Sequence, residues 1–265
     1  MTIITLTTDF GIEDEYAGVM KGVILGIHPD ATIVDITHHI QPHDLIEAAY
    51  TIETSYKYFP SGTVHIVVVD PGVGTERPIL ALEKSGHFFL APDNGVLSLL
   101  FDDMGLDSIV HVKNNRYFLK SVSLTFHGRD IFAPVGAHMS LGVRINDLGD
   151  MIEEDHVVRL DIKKPSQSGD EISGQIISID RFGNLITNID GKHLANICRN
   201  DNDKPVKISI GGKKIVGLSY SYENSKDQAP LAIVGSRSTL EIAVNRGSAQ
   251  KYFMAEKGDV IKVRI

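Results

Sequence analysis

The chain has 265 residues, 42% of them hydrophobic and 23% charged, which is typical of a soluble globular protein with one large domain or two modest ones. Its formal net charge is −8 and no long basic run occurs, which argues against binding to nucleic acids or to anionic membranes. The single cysteine, Cys198, excludes an intramolecular disulfide, and no apolar run approaches the length of a membrane span.

The N-terminal segment predicts a strand followed by a helix. Residues Ile3 to Thr8 form the strand, and the carboxylate of Asp9 follows directly at its end. From Tyr16 to Ile27, apolar residues recur at the spacing of one helix face. No signal peptide precedes the strand, so we expect a cytoplasmic location.

Three histidines, His38, His39 and His43, follow the next predicted strand, Ala31 to Ile36. Histidines this close together in sequence can hold a metal ion. Here no cysteine or carboxylate spacing completes a known metal site. We therefore favour loop histidines over a metal centre and predict that the protein binds no metal.

A continuous apolar run, Ile66 to Val69, predicts a strand that is buried on both faces of a sheet. The run ends at Asp70, where a proline and two glycines predict a tight loop. Arg77 stands at the far end of this loop, so the two charges can pair. In open α/β sheets, ligands bind at the carboxyl ends of the strands. The residues alone leave two interpretations open, a ligand site or a structural turn closed by an ion pair.

Strands alternate with helices beyond this loop, which predicts an α/β domain with a central, mostly parallel sheet and helices on both faces. A short helix from Val96 to about Asp103 and a strand from Tyr117 to Val122 belong to this domain. His127 precedes its last helix. A lone histidine in a loop usually belongs to the polar surface. A functional role for this one is favoured only if it meets Asp70 and Arg77 in space.

The composition changes at residues 163–170, which are rich in lysine, serine and proline and predict a linker. The linker separates an α/β domain, residues 1–162, from residues 171–265, where short strands and turns predict a smaller, all-β, barrel-like domain. Within that domain, the segment from Asp180 to Asn184 is rich in turn residues, and alone it favours a β-turn. Ser236 and Arg237 follow a predicted strand and can be plain loop.

Six motifs occur in order along nearly the whole chain: TTDFG (Thr7–Gly11), VDPGVGTERP (Val69–Pro78), APDNG (Ala91–Gly95), TFHGRD (Thr125–Asp130), IDRFGNLITNI (Ile179–Ile189) and GSRSTLEIAVN (Gly235–Asn245). Together they resemble the motifs of the S-adenosyl-L-methionine (SAM) hydrolases, also called SAM hydroxide adenosyltransferases. That family is related to the SAM-dependent fluorinase and chlorinase. Each motif alone is weak, but their joint occurrence in this order is very specific.

The resemblance implies an N-terminal α/β domain and a C-terminal β-barrel-like domain in a homotrimer. Substrate would lie between the N-terminal domain of one subunit and the C-terminal domain of the next. The implied reaction is the hydrolysis of SAM to adenosine and L-methionine by attack of water on the ribose 5′-carbon. No metal or organic cofactor is implied.

The resemblance also implies roles for the residues at matching positions. Asp70, Arg77 and His127 match the triad assigned to the water nucleophile, and Asp9 matches the carboxylate that accepts hydrogen bonds from the ribose diol. The matching positions in the second domain are Asp180 for the methionine ammonium, Phe182 and Asn184 for adenine, and Ser236 and Arg237 for the methionine carboxylate and adenine.

The implied chemistry agrees with these residue types. The sulfonium makes the 5′-carbon electrophilic and departs as a neutral thioether, so no general acid is needed. The site must hold a water in line with the carbon–sulfur bond and remove its proton. His127 is the first candidate for accepting that proton, because the ordinary pKa of histidine is nearest neutrality. Acceptance by Asp70, or relay to solvent, stays open.

Two alternative functions use the same binding residues. In halogenases a tyrosine stands where this chain has Asp70, and the fluorinase has a serine where this chain has Gly128, although the chlorinase resembles this chain there. A carboxylate at Asp70 would repel a buried halide, which disfavours a chlorinase-type halogenase. A non-catalytic adenosine- or SAM-binding protein has no reason to keep Asp70, Arg77 and His127 together.

Overall fold

The computed structural model describes residues 2–101, 106–192, 194 and 205–264. Contacts divide the chain into two compact units, Met1–Asp161 and Ile162–Ile265. Cys198 lies outside the described residues, as do Asp102 and Asp103 at the end of the helix predicted from Val96. Among the described helices, none is long and apolar enough to cross a membrane.

A mixed sheet of seven strands, counted over the described residues, forms the centre of the first unit. The strands are β1 (Ile3–Thr8), β2 (Thr32–Thr37), β3 (Val64–Val68), β4 (Ile79–Lys84), β5 (His87–Pro92), β6 (Leu106–Val112) and β7 (Gly149–Met151). Their order in the sheet is β2-β1-β3-β5-β4-β6-β7. The pairs among β2, β1, β3 and β5 are parallel, and the remaining pairs are antiparallel.

Helices cover both faces of this sheet. The described α-helices of the unit are α1 (Tyr16–Ile27), α2 (Leu45–Ser55) and α3 (Ala133–Ser140). Ile66 packs in the core cluster that contains residues of α1 and α3, whereas its neighbour Val67 packs in the cluster that contains residues of α2. This alternation within an all-apolar strand confirms the predicted burial of β3 on both faces and the α/β class.

The strand predicted from Tyr117 to Val122 is wrong. Asn115–Tyr117 form a single 3₁₀ turn, and no strand follows before His127 among these described residues. The backbone N–H of Leu119 donates to the carbonyl of Asp130, and the N–H of Ser123 donates to its carboxylate at 2.8 Å. Because Asp130 satisfies these donors locally, the segment needs no neighbouring strand.

The second unit is an antiparallel sheet. Its described strands are β8 (Ser166–Ser168), β9 (Glu171–Ile179), β10 (Leu185–Asp190), β11 (Lys207–Ile210), β12 (Lys213–Val216), β13 (Pro230–Val234), β14 (Thr239–Val244) and β15 (Val260–Arg264). They follow the order β12-β11-β15-β9-β10-β14-β13, and β8, within the predicted linker, pairs with β9. The end strands β12 and β13 contact each other, so the sheet nearly closes into the predicted barrel. A short helix, α4 (Ala249–Phe253), adds Phe253 to the barrel core.

Candidate active site

Asp70 and Arg77 form an ion pair at the carboxyl end of β3. Asp70 follows β3, and Arg77 precedes β4, so the loop between these strands brings its two ends together. Nε of Arg77 donates to both carboxylate oxygens at 2.9 Å, and its Nη2 donates to Oδ2. The Asp70 side chain is only 5% exposed and the Arg77 side chain 10% exposed. The pair is therefore held largely away from water.

The loop between them packs on the segment that leads to His127. Gly74 adopts a φ of 78°, a left-handed conformation that favours glycine. A side chain there would place its Cβ 2.2 Å from the carbonyl oxygen of Leu124. Gly74 therefore permits both the turn and the close approach of two backbone segments.

His127 completes a contact cluster with this ion pair. Nη2 of Arg77 lies 3.0 Å from Nδ1 of His127, although the two residues are far apart in sequence. A guanidinium can only donate, so Nδ1 accepts and the ring hydrogen is on Nε2. Burial, followed by the positive charge of Arg77, lowers the pKa of His127. The imidazole is thus held neutral, with its tautomer fixed by Arg77.

A wide helical turn positions His127. Residues Gly128–Phe132 form a π-turn that leads directly into α3, and the N–H of Ala133 donates to the carbonyl of Gly128. The Arg77 guanidinium lies 5.6 Å from the ring centroid of Phe132. Arg77 therefore contacts the residue before the turn and the residue at its end. Such turns are frequent at functional sites.

A cavity of about 700 Å³ opens beside this cluster. Asp9, Asp70 and His127 line it, whereas Arg77 is not one of its lining residues. Arg77 therefore acts on the cavity through its two partners.

Three aromatic side chains that the sequence interpretation did not single out also line the cavity, with ring centroids between 5.1 and 6.0 Å apart: Phe10, Tyr16 and Phe126. Their place in the sequence could have indicated two of them, because Phe10 and Phe126 lie inside the motifs that carry Asp9 and His127.

Asp9 lies in the turn after β1 and is 10% exposed. Its Oδ2 accepts a hydrogen bond from the backbone N–H of His43 at 3.0 Å. His38 is 4% exposed and contacts Thr8 through Nδ1, at 2.8 Å. Within the described part of the chain, no group of three or more His, Cys, Asp or Glu side chains is arranged to hold a metal ion. Among the three loop histidines, His38 contacts Thr8 through its ring, whereas His39 and His43 donate their backbone N–H groups to Thr37 and Asp9, respectively.

Asp180 closes a turn in the second unit. Its Oδ1 accepts from the backbone N–H groups of Phe182 and Asn184, both at 2.9 Å, and its Oδ2 accepts from Nδ2 of Asn184 at 3.0 Å. Gly183 has a φ of 83°, and a Cβ there would lie 2.1 Å from Oγ of Ser248. The turn interpretation is therefore correct for this segment, and the same turn presents Asp180 and Phe182 to a groove.

This groove, of about 640 Å³, contains the other predicted residues. Phe182 is 77% exposed on it. The predicted residues that line it are Asp180, Phe182, Asn184, Ser236 and Arg237. The first unit thus holds Asp9 and the Asp70–Arg77–His127 cluster, and the second unit holds all the other predicted site residues.

Two further groove residues were missed by sequence reasoning. The hydroxyl of Tyr222 donates to Oε1 of Glu241 at 2.6 Å, and Glu241 is 6% exposed. The hydrogen bond to Glu241, with burial, raises the pKa of Tyr222 to about 12. The sequence could have indicated Glu241, because it is the single charged residue in the otherwise apolar run from Leu240 to Val244.

Comparison with protein families decides the assignment. The family models for the SAM hydroxide adenosyltransferase N-terminal domain and C-terminal domain match residues 4–149 and 174–262, respectively. The chain belongs to the SAM hydroxide adenosyltransferase family. The family inferred from the six motifs is thereby confirmed.

Relatives of this family match over most of the chain. The (R)-S-adenosyl-L-methionine hydrolase of Methanocaldococcus jannaschii is 36% identical over 270 residues, covering 99% of this chain and 96% of that protein. A fluorinase from an Actinoplanes species is 32% identical over 212 residues, covering 71% of each chain. The crystal structure of an uncharacterized conserved protein from Thermotoga maritima has a TM-score of 0.92 at 34% identity and covers 100% of both chains.

Proposed function

We propose that this protein is an (R)-S-adenosyl-L-methionine hydrolase that converts SAM and water to adenosine, L-methionine and a proton. The observation that carries the proposal is the buried contact of Asp70, Arg77 and His127 beside a cavity that Asp9 also lines. The hydrolases among its relatives support the same activity, and their name specifies the R configuration at sulfur.

The reaction makes an unusual demand on the site. Methionine departs from the 5′-carbon as a neutral thioether, so the leaving group needs no proton. The attacking oxygen starts as a water, which must be aligned with the carbon–sulfur bond and lose a proton as the new carbon–oxygen bond forms. Two wall residues of the cavity, Asp70 and His127, can hold this water between a carboxylate acceptor and an N–H donor.

The tautomer of His127 changes the proton assignment made from sequence. Nδ1 is occupied by Arg77, and Nε2 already carries the ring hydrogen. Burial and the Arg77 charge also lower the pKa of His127, which weakens it as a base. We therefore assign His127 the role of orienting donor. Asp70 accepts the proton, because its oxygens retain lone pairs besides those that accept from Arg77.

The remaining site residues bind the two ends of the substrate in this proposal. Asp9 accepts hydrogen bonds from the ribose diol. In the second unit, Phe182 and Asn184 contact adenine, Asp180 pairs with the methionine ammonium, and Ser236 and Arg237 contact the methionine carboxylate and adenine. The exposed ring of Phe182 supports a stacking role, because a large aromatic side chain on a groove is available to a planar base.

The proposal includes a homotrimer with substrate sites between subunits, a cytoplasmic location, and catalysis without a metal or organic cofactor. The trimer and the cofactor-free reaction are supported by the six family motifs. The cytoplasmic location is supported by the use of one cysteine in 265 residues, which suits a reducing compartment. Light scattering of the purified protein measures the subunit number.

A direct assay separates this proposal from its alternatives. Purified protein is mixed with (R)-SAM in chloride-free buffer containing heavy-oxygen water, and the products are resolved by chromatography and mass spectrometry. The hydrolase forms adenosine with the heavy oxygen in its 5′-hydroxyl. A chlorinase-type halogenase would require chloride and form 5′-chloro-5′-deoxyadenosine, whereas a binding protein would form neither product. Activity that depends on added chloride would refute the proposal.

A further inference from the structure

A row of side-chain contacts runs beneath the turn that carries Asp9. Oγ1 of Thr8 lies 2.8 Å from Nδ1 of His38, and Nε2 of His38 lies 3.0 Å from Oδ1 of Asp35. Nζ of Lys21 donates to the other oxygen of Asp35 at 2.6 Å. Burial acts to raise the pKa of Asp35, but its interactions with Lys21 and His38 outweigh burial and lower it. Asp35 is therefore anchored as a carboxylate.

The Thr8 hydroxyl has two hydrogen-bond partners. The backbone N–H of Phe10 donates to Oγ1 of Thr8 at 3.2 Å, so that oxygen is an acceptor there and its own hydrogen can go to Nδ1 of His38. Nε2 of His38 faces the Asp35 carboxylate at ion-pair distance but makes no hydrogen bond to it. The Thr8 hydroxyl thus joins the backbone of Phe10 to the ring of His38, which favours one arrangement of the turn.

Backbone contacts tie the same residues to both sides of Asp9. The N–H of Gly11 donates to the carbonyl of His38 at 2.7 Å, and the N–H of Ile40 donates to the carbonyl of Thr8 at 3.3 Å. Thr8 precedes Asp9, and Gly11 closes the turn with a φ of 71°. His38 therefore holds the turn through its ring and its backbone together.

Thr8 and His38 support the cavity wall and do not form it. Thr8 is fully buried, His38 is 4% exposed, and the cavity-lining residues include Asp9 and Phe10 but neither of these two. A ligand in the cavity would meet Asp9 and would meet the supporting residues only through it.

We propose that Thr8 and His38 are positioning residues that aim the Asp9 carboxylate at the ribose diol. This inference rests on the proposed function, in which Asp9 is the ribose ligand. Loss of the Thr8 hydroxyl frees the N–H of Phe10 and Nδ1 of His38. The turn then loses its fixed arrangement, and the protein loses its preference for a nucleoside with a complete diol.

Binding constants for adenosine and 2′-deoxyadenosine, measured by calorimetry, test this role. We expect the wild type to prefer adenosine by about tenfold, the usual worth of one hydrogen bond to a charged group. In Thr8→Val, which keeps the side-chain shape, the preference should fall below about threefold. Thr8→Ser restores the hydroxyl and should restore the preference.

Thr7→Val is the matched control. Thr7 is also fully buried, and among the described residues its Oγ1 has no hydrogen-bond partner. Removing that hydroxyl should leave the adenosine preference unchanged. A general loss of stability would reduce the amount of competent protein but would not change a ratio of binding constants, so the ratio reports positioning alone.

His38→Leu provides a second route if Thr8→Val does not fold, because it removes the ring that shares a hydrogen bond with the same hydroxyl. It should lower the adenosine preference to the same extent. An unchanged preference in either variant would overturn the inference while leaving the proposed hydrolase intact. A wild type that forms no adenosine from SAM would instead refute the proposed function. A wild type that hydrolyses SAM but binds both nucleosides equally would show that Asp9 does not recognise the diol. That result would also overturn the inference.

Discussion

Nη2 of Arg77 lies 3.0 Å from Nδ1 of His127, and this contact determines which imidazole nitrogen can act on a water molecule. The same guanidinium holds both oxygens of Asp70. Arg77 does not line the cavity itself, but it sets the orientation of two side chains that do. The chemistry of the site depends on a residue that need not touch the substrate.

Replacing Asp70 by asparagine should lower the rate of adenosine formation by about 10²–10⁴-fold, the usual worth of a positioned acid or base. Asparagine keeps the size of the side chain but removes the carboxylate that accepts the proton in the proposed mechanism. The measurement is the initial rate at saturating (R)-SAM. Asp150→Asn is the control, because Asp150 makes an exposed ion pair with Lys113. A rate in Asp70→Asn within threefold of the wild type, roughly, would exclude Asp70 as the acceptor.

Replacing Arg77 by methionine should raise the pKa of His127. Burial lowers this pKa first and the Arg77 charge lowers it further, so removing the charge leaves burial alone to oppose the nearby carboxylates. The imidazole resonances of His127, followed against pH by NMR, measure the change. Arg144→Met removes a guanidinium that pairs with Asp147 and should leave the His127 titration as it is. A pKa of His127 that stays the same or falls in Arg77→Met would contradict this account.

Replacing Gly74 by alanine should destabilise the first unit by about 1–3 kcal/mol. The new Cβ would meet the carbonyl oxygen of Leu124 and would also occupy a left-handed backbone conformation. Gly62→Ala separates these effects, because Gly62 has a φ of 87° with nothing within 4 Å of the added Cβ. Urea unfolding of both variants gives the comparison. Equal destabilisation would show that the contact with Leu124 is unimportant.

His65 should make the fold sensitive to acid. Its ring is fully buried between Thr5, at 2.8 Å, and His87, at 3.2 Å. Burial, followed by the charge of His87, lowers its pKa from 6.5 to about 3. Between these values the unfolded chain binds a proton at His65 and the folded chain does not, so the free energy of unfolding falls as the pH is lowered. The total effect is on the order of 5 kcal/mol.

The test of this acid sensitivity is His65→Gln. The variant should show a weaker pH dependence of unfolding between about pH 4 and 6, whatever its stability at neutral pH. His156→Gln, at an exposed histidine in the same unit, should keep the wild-type dependence. Parallel curves for His65→Gln and the wild type would assign the acid sensitivity to other groups.

Sequence reasoning succeeded where the chemistry is local along the chain. The apolar run before Asp70 predicted the strand, and the loop residues indicated that Arg77 can pair with Asp70. It could not show that His127 meets this pair, because that contact depends on how α3 packs against the sheet. The strand predicted from Tyr117 to Val122 failed for a similar reason, since the backbone donors there are satisfied by Asp130.

The groove of the second unit shows the same limit. The turn residues from Asp180 to Asn184 predicted their own hydrogen bonds correctly. Glu241 and Tyr222 went unnoticed, because their contact joins side chains from different parts of the unit. Periodicity assigns a residue to a face of a strand, but it does not identify the partner across the barrel.

The π-turn at Gly128–Phe132 gives the site a dependence on chain length. Such a turn holds one residue more than an α-helical turn. A single-residue deletion within it would tighten the backbone and rotate the preceding residue by about 100° around the helix axis. The core residues of α3 would keep their packing, while the imidazole of His127 would move away from the guanidinium of Arg77. We expect a chain shorter by that one residue to fold and to lose the contact between Nη2 of Arg77 and Nδ1 of His127.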